Sequence, residues 1–138
     1  MAYKRIFIDS DVLLDVLLER HPYCSFSQRV LTKAKHKGIE MGTSVLVIAN
    51  IYSIMARTLG KVEAKKNSMR LLNTLKIFAL DVGCINLAIN SNFDDVEEGM
   101  QHFVATQNRC DLIVTRNIKD YKESQIPVLS AEHYLNIT

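Results

Sequence analysis

The sequence contains no tryptophan and only three cysteines, two prolines and five glycines in 138 residues. Cys24, Cys84 and Cys110 are odd in number and far apart, without a CxxC pair, which argues against a disulfide framework and against a thiolate zinc site. We interpret them as buried or inert thiols. The four histidines show no HExxH or HxH spacing, so we assign them no metal role.

The sequence also lacks a long apolar run. No stretch approaches the roughly 20 residues needed to cross a bilayer, and the opening MAYKRIFIDSD reaches acidic residues before a signal-peptide hydrophobic region forms. We therefore expect a cytoplasmic protein without membrane association. With 48% hydrophobic and 23% charged residues, the chain has ordinary globular composition, and its length predicts one domain spanning residues 1–138.

The net charge of +2 is small but unevenly distributed. Residues 1–76 carry 13 Lys/Arg against 6 Asp/Glu, whereas residues 77–138 carry 4 against 9. This asymmetry is compatible with a basic surface for a polyanion beside an acidic pocket for cations, and also with lysine-bearing helices that are merely solvated. The candidates for attracting a nucleic-acid backbone are Lys33, Lys37, Lys61 and Lys65, accompanied by Lys35, Lys66 and Arg70.

Apolar periodicity predicts strands that alternate with helices. The predicted strands are 5–9, 39–42, 77–80, 112–115 and 127–129, and the predicted helices are 11–20, 25–36, 44–59, 61–75, 85–89, 96–108 and 130–135. Such alternation indicates parallel crossovers, so we predict a three-layer α/β/α sandwich with a central parallel sheet. Ligands bind beyond the carboxyl ends of the strands in such sheets, so Asp9 and the residues after Val114 should face one crevice.

Three acidic residues are candidates for a shared cation site. Asp9 ends an apolar strand, where an unpaired carboxylate is expensive to desolvate, although it can equally serve as a helix cap. Glu98 lies at the border of the apolar face of a predicted helix, and Asp111 directly precedes the strand LIVT. Their oxygens are the hard ligands that Mg²⁺ or Mn²⁺ prefers. Each taken singly is also explained as a solvated charge or a cap.

Four blocks, taken in order, resemble the PIN-domain family of bacterial nucleases. They are IDSDVLLDVLLER at 8–20, DVEEGMQHF at 95–103, CDLIVTRNIKDY at 110–121 and PVLSAEHYL at 127–135. The resemblance implies a nuclease that uses Mg²⁺ or Mn²⁺ and acts on RNA, often as the toxin of a toxin–antitoxin pair, with homodimers common. It assigns the catalytic acids to Asp9, Glu98 and Asp111 and ligand-orienting positions to Thr115 and Asn117. Ser44, which can cap the helix that follows it, is a further ligand-orienting candidate.

The sequence departs from the family pattern at metal-ligand positions. Asn50, in SVLVIANIY, occupies a position where the family commonly has an acid, so one negative ligand is missing although the amide oxygen can still coordinate. Glu98 replaces the usual aspartate with a longer side chain. Asp11, where asparagine is usual, adds a carboxylate two residues after Asp9 and is a further metal candidate.

Two other functions remain open at this stage. A PIN-like domain that has lost catalysis through Asn50 would bind nucleic acid or a protein partner. Alternatively, the order strand, Asp9, Ser10, Asp11 imitates the DxD of haloacid-dehalogenase phosphatases, and Asp94–Asp95 imitates their later acidic pair, although no apolar strand precedes that pair. The residues themselves do not distinguish RNA from DNA, because they contain no aromatic stacking array.

Overall fold

The computed structural model describes residues 3–137 of the chain. Its elements follow the order β1 (Arg5–Ile8), α1 (Ser10–Leu17), α2 (Tyr23–His36), β2 (Glu40–Ser44), α3 (Val45–Leu59), α4 (Lys61–Thr74), β3 (Lys76–Phe78), α5 (Val82–Ile89), α6 (Val96–Gln107), β4 (Leu112–Val114), a 3-10 helix (Ile118–Tyr121), β5 (Val128–Leu129) and α7 (Ala131–Ile137). No helix within residues 3–137 has both the length and the hydrophobicity to span a membrane.

The strands form one parallel sheet in the order β3-β2-β1-β4-β5. Its two central strands, β1 and β4, are uninterrupted apolar runs because both of their faces are covered: the side chains of Ile6–Ile8 and Leu112–Val114 are 0% exposed. The chain winds from β1 towards β3 and then returns to β4 on the other side of β1. The point at which the winding direction changes therefore lies between β1 and β4, where ligands bind in such sheets.

The change in winding direction places helices on both faces of the sheet, because parallel crossovers share one hand. Helices α1 to α4 connect β1 to β2 and β2 to β3, whereas α5 and α6 connect β3 back to β4. Helix α7 packs against α2. The predicted three-layer sandwich with a central parallel sheet is confirmed.

Element boundaries differ from the predictions where capping and proline geometry decide them. The third strand ends at Phe78 rather than residue 80, because Asp81 is the N-cap of α5 and accepts a hydrogen bond from the backbone of Cys84 at 2.9 Å. Helix α2 begins at Tyr23, directly after Pro22, whose fixed φ is compatible with a helix start. The 3-10 helix was not predicted, since its four residues are too short for a periodic signal.

Gly42 of β2 has no side chain, which leaves room for the ring of Phe78 from β3. A Cβ atom at this position would lie 2.4 Å from Cε2 of Phe78, whose side chain is buried. Glycine is therefore required here by the aromatic ring that covers the strand. Phe78 in turn ends β3 opposite Ser44, the last residue of β2.

Candidate active site at the carboxyl edge of the sheet

Asp9 follows β1 directly and lies at the carboxyl edge of the sheet, where its side chain is 2% exposed. Its Oδ1 accepts a hydrogen bond from the backbone of Ser10 at 2.8 Å, so Asp9 is the N-cap of α1. Its Oδ2 accepts hydrogen bonds from the hydroxyls of Thr115 at 2.9 Å and Tyr121 at 3.1 Å. Asp9 therefore both caps α1 and belongs to a cluster of polar side chains.

Asp11 lies beside Asp9, and Thr115 links the two carboxyl groups. The Thr115 hydroxyl is 2.9 Å from Asp9 Oδ2 and 3.2 Å from Asp11 Oδ2, yet it has one proton to donate. Asp11 Oδ2 also accepts a hydrogen bond from the backbone of Arg116 at 3.0 Å, and the backbone of Asn117 donates to the Thr115 hydroxyl at 3.0 Å. The segment after β4 therefore holds the carboxyl groups in place through the Thr115 hydroxyl and the backbone N–H of Arg116.

Glu98 approaches this pair from the first turn of α6. Asp95 caps that helix by accepting from the backbone of Glu98 at 3.2 Å. Burial, which is the largest cause, and the carboxylates of Asp9, Asp95, Asp120 and Asp11, in that order of effect, together raise the pKa of Glu98 to about 9. Negative charge from three chain segments thus converges on one place.

The pKa values of the other acids reflect the same crowding. Burial raises the pKa of Asp9 to about 6, with a further contribution from the negative charge of Asp11, against the lowering effect of the three hydrogen bonds it accepts. Burial also raises the pKa of Asp11. Groups whose pKa is shifted upward by burial and by like charge are destabilised in their ionised form, and a bound cation relieves that destabilisation.

The donor set fits a divalent cation in its chemistry. Asp11 Oδ1 and Glu98 Oε2 are buried and accept no hydrogen bond within residues 3–137. Such orphaned carboxylate oxygens are rare unless a ligand or ion satisfies them, and carboxylate oxygen is what Mg²⁺ and Mn²⁺ prefer. Within the same residues, no group of three His, Cys, Asp or Glu side chains forms a ready-made metal cage. Asp9, Asp11 and Glu98 are nevertheless the candidate ligands, because the charges of Asp9 and Asp11 raise the pKa of Glu98, and a bound ion would draw the three side chains closer together.

The structure does not bring Asp111 to this site, which corrects the sequence-based assignment. Asp111 precedes β4, and the parallel pairing of Ile6 with Leu112 places it at the amino edge of the sheet. Its Oδ2 accepts a hydrogen bond from the backbone of Lys4 at 3.0 Å. Because β1 and β4 run in the same direction, a residue before one strand and a residue after the other lie at opposite edges. Asp111 therefore stabilises the far end of the sheet.

Ser44 and Asn50 lie near the carboxyl edge but hydrogen-bond to other groups. The buried Ser44 caps α3 by accepting from the backbone of Val47 at 3.1 Å and makes a short hydrogen bond with Gln101. The side-chain amide of Asn50 donates to Glu97 Oε1 at 2.6 Å. Asn50 therefore contacts a carboxylate adjacent in sequence to Glu98.

The predicted nucleic-acid contacts divide between two regions. Lys37 ends α2, and the chain then enters β2 at Glu40, which pairs with Arg5 at the amino edge. Lys33 donates to the carbonyl of Leu135 at 3.2 Å, and partial desolvation lowers its pKa. Lys37 therefore lies towards the amino edge of the sheet, away from the acidic site at the carboxyl edge, and a contact of Lys33 or Lys37 with nucleic acid stays a prediction. Lys61 and Lys65 are exposed in the first turns of α4.

Tyr121, Asp120 and the Asp15–Arg116 pair belong to the site region but were missed. The pKa of Tyr121 is raised well above 10.0 by burial and by Asp9 and Glu98, so its hydroxyl remains a donor. Arg116 donates from Nε and Nη2 to the two oxygens of Asp15, at 2.9 and 2.8 Å, although Asp15 is 0% exposed. Arg116, Asp120 and Tyr121 lie within the block CDLIVTRNIKDY, so this block was the sequence feature that could have identified them.

The fold is inconsistent with a haloacid-dehalogenase phosphatase. Asp9 and Asp11 do follow a strand, but Asp94 and Asp95 precede α6 and end no strand. The later acidic pair of such a phosphatase would have to project from the carboxyl edge of the sheet. The resemblance was therefore limited to a short local pattern.

Comparison with known proteins identifies the family. The family model described as PIN domain matches residues 5–119. A curated relative, ribonuclease VapC1 of Aquifex aeolicus (strain VF5), is 27% identical over 142 residues, covering 97% of this chain and 95% of that protein.

Solved structures share the fold at low sequence identity. The DNA-bound VapBC of Salmonella typhimurium superposes with a TM-score of 0.71 at 12% identity, covering 93% of this chain and 98% of that chain. The sarcin-ricin loop cleaving toxin VapC20 of Mycobacterium tuberculosis has a TM-score of 0.64 at 12% identity, covering 78% and 86%. On the family match, which extends over most of the sequence, this chain belongs to the PIN domain family.

Proposed function

We propose that this protein is a ribonuclease that hydrolyses RNA phosphodiester bonds with the help of Mg²⁺ or Mn²⁺. The observation that carries the proposal is the crowding of the Asp9, Asp11 and Glu98 charges near the β1/β4 switch point. Within residues 3–137, three buried carboxylate oxygens accept no hydrogen bond, and two of them, Asp11 Oδ1 and Glu98 Oε2, belong to this group, whereas the third is Oδ1 of Asp111. Such an arrangement is unfavourable without a cation and well suited to one. RNA as the substrate is supported by the relative named as a ribonuclease.

Asp9, Asp11 and Glu98 would hold the ion. A divalent cation in such a site lowers the pKa of a bound water and offsets charge on a phosphate. The protein's own groups keep the carboxylates oriented: Thr115 and Tyr121 donate to Asp9, and the backbone of Arg116 donates to Asp11. These donors lie on the segment directly after β4 and on the 3-10 helix, so the fold holds them in place before a ligand binds.

We further propose that the protein is the toxin of a toxin–antitoxin pair, forms a homodimer and is inhibited by a partner protein. The structures that share its fold include the toxin–antitoxin complex of Klebsiella pneumoniae, with a TM-score of 0.69 at 15% identity. They also include VapBC2 of Rickettsia felis bound to a DNA fragment from its promoter. Co-purification with the product of a neighbouring gene, followed by loss of RNA hydrolysis on mixing, tests this part.

One observation favours a second candidate, a PIN domain that binds nucleic acid or protein with little catalysis. Asn50 supplies no charge at a position where an acid is common in the family, and its amide donor is engaged with Glu97 at 2.6 Å. A site with one carboxylate fewer should bind a cation more weakly. The two candidates differ in whether metal-dependent cleavage by the wild type exceeds that of the Asp9 variant.

The decisive experiment measures cleavage of a generic single-stranded RNA in EDTA and in increasing Mg²⁺ or Mn²⁺. We expect hydrolysis only with metal, a loss of at least about 100-fold in Asp9→Asn, and rates within about twofold of wild type in Asp111→Asn, since a substitution away from the site usually changes little. Asp111→Asn is the matched control because it removes the same charge at the opposite edge. Equal, residual activity in wild type and Asp9→Asn would favour the binding domain.

A further inference from the structure

A cavity of about 360 Å³ lies beside the acidic site, between the first turns of α2, the segment after β4 and the start of α7. Residues that line it include Tyr23, Phe26, Arg116, Asn117 and Glu132. Its volume is within the range of small-molecule sites. We propose that it binds a base of the RNA chain next to the scissile phosphate, with a preference for bases that carry an exocyclic amino group. This inference rests on the proposed ribonuclease function.

The cavity and the acidic site share a wall. Arg116 and Asn117 are among the residues that line the cavity, and their backbone N–H groups donate to Asp11 and to the Thr115 hydroxyl, each at 3.0 Å. The two sites are therefore joined through consecutive residues of one segment. In the proposed binding mode, the base therefore lies in this cavity when the neighbouring phosphate lies at the carboxylates.

The cavity has a preformed aromatic surface. The Arg116 guanidinium lies 4.0 Å from the centroid of the Tyr23 ring, and it is held there by two hydrogen bonds to the buried Asp15. Tyr23 nevertheless remains 42% exposed, and Phe26 lines the same cavity. Planar groups that are already fixed lose little entropy when a base stacks on them, and RNA-binding proteins recognise unpaired bases by such stacking.

The charges of the cavity favour a base over a phosphate. The positive charge of Arg116 is paired with Asp15, whose side chain is 0% exposed, so little of it is available to an anion. Glu132 adds an exposed carboxylate to the lining. Carboxylates repel phosphate but accept hydrogen bonds from amino groups of bases. Adenine, cytosine and guanine carry such a group and uracil does not.

The inference is tested with four oligoribonucleotides that differ only in the base flanking the cleaved bond. We expect wild-type kcat/KM to be lowest for uracil. Tyr23→Ala should lower kcat/KM for the preferred substrate about 5- to 150-fold, the equivalent of losing one stacked base, and should reduce the differences among the four. Tyr23→Phe, which keeps the ring, is the matched control and should retain both rate and preference.

Glu132→Gln tests the amino-group preference separately. It should narrow the gap between uracil and the other bases by lowering kcat/KM for the substrates that carry an exocyclic amino group. Val82→Ala, at an exposed position on α5, controls for loss of any surface apolar group. If wild type cleaves RNA but Tyr23→Ala has the same rate and base preference, the cavity proposal is overturned and the ribonuclease proposal stands.

A binding measurement keeps the inference testable if the wild type cleaves no RNA, which would sink the proposed function. AMP, CMP, GMP and UMP are then titrated into the protein while NMR signals of the Tyr23 ring and the Arg116 Nε–H are recorded. Shifts with the amino-bearing nucleotides, absent in Tyr23→Ala, support the cavity as a base site. No shift with any of the four overturns it and leaves the cavity as a surface for a protein partner.

Discussion

Asp9 and Asp11 share a single hydroxyl proton from Thr115, and this shortage of donors shapes the chemistry of the site. Each carboxylate is stabilised partly by backbone N–H groups, which cannot move to follow a change in charge. Without a cation, the buried carboxyl groups stay protonated at pH values at which exposed carboxyl groups are ionised, because burial and neighbouring negative charge disfavour their ionised form. The occupancy of the site by protons or by metal is therefore linked to folding.

The metal-free protein should lose stability as the pH rises. The folded-state pKa values of Asp9, about 6, and Glu98, about 9, are above their ordinary values of 3.8 and 4.5. Their contribution is thus complete below pH 4 and is lost progressively as the pH rises through 6 towards 9. Thermal unfolding in EDTA from pH 4.5 to 9 should show a falling Tm, with a shallower fall in Glu98→Gln.

Metal addition provides the check on this interpretation. Mn²⁺ should raise the Tm most at the alkaline end, because a cation binds ionised carboxylates and releases protons. Identical Tm–pH profiles for wild type and Glu98→Gln, with and without Mn²⁺, would contradict the assignment of the shifted groups.

Arg116 stabilises the buried negative charge of Asp15. Replacing it with methionine leaves the carboxylate of Asp15, 0% exposed, with Ser27 at 3.5 Å and Arg20 at 4.0 Å as its remaining partners. Breaking a buried pair by removing one member costs about 3–5 kcal/mol. We expect Arg116→Met to lose about that much in urea unfolding.

The double variant Asp15→Leu/Arg116→Met is the control for this loss. Replacing a buried ion pair with apolar side chains is often neutral for stability, so the double variant should recover most of the lost free energy. If the double variant is as unstable as Arg116→Met, packing of the arginine stem on Tyr23, rather than the unpaired charge, explains the loss.

At the scale of elements, the packing of β3 against β2 depends on glycine at position 42, which has no side chain. Gly42→Ala places a Cβ 2.4 Å from the ring of Phe78 and 3.1 Å from the carbonyl of Lys76. Overpacking of this kind costs about 1–3 kcal/mol, since the ring has to shift within a packed core.

Denaturant unfolding of Gly42→Ala and of Gly42→Ala/Phe78→Leu checks this expectation. The smaller leucine should relieve part of the clash, so the alanine should be less harmful in the Phe78→Leu background than in the wild type. An equal loss in the two backgrounds would show that strand flexibility, and not the ring, accounts for the glycine.

At the scale of the whole molecule, basic and acidic residues are separated along the chain but only partly in space. Lys33 and Lys37 lie towards the amino edge of the sheet, whereas the acidic cluster lies at the carboxyl edge. Helix α4 returns to the amino edge at its last residues, so its exposed Lys61 and Lys65 are at the end of the helix farther from that edge. We therefore keep Lys61 and Lys65 as the candidates for RNA backbone contacts.

Salt dependence tests these candidates. Neutralising one phosphate contact on single-stranded nucleic acid changes the slope of log affinity against log salt by about 0.7. Lys61→Gln/Lys65→Gln should reduce the slope measured by RNA binding of the Asp9→Asn protein, whereas Lys37→Gln should leave it unchanged. The reverse pattern would place the RNA across the amino edge.

Much of the fold followed from periodicity and strand direction. Apolar runs predicted all five strands near their observed positions, and the parallel-sheet rule placed Asp9 and Thr115 at one edge, because such arguments need only local pattern and chain direction. Asp111 was misplaced because a carboxylate next to an apolar run was read without regard to which end of the strand it adjoins. The family resemblance had favoured Asp111 although it precedes the strand rather than following it.

What the sequence by itself determined was the layered parallel architecture and the family, since those depend on residue order and periodicity spread over the whole chain. Only the tertiary structure decided which acids influence one another: the charges of Asp9 and Asp11 act on Glu98 of α6, while Asn50 pairs with Glu97 and Asp111 with the backbone of Lys4. The physical reason is that burial and charge crowding are properties of neighbours in space, which residues remote in sequence supply.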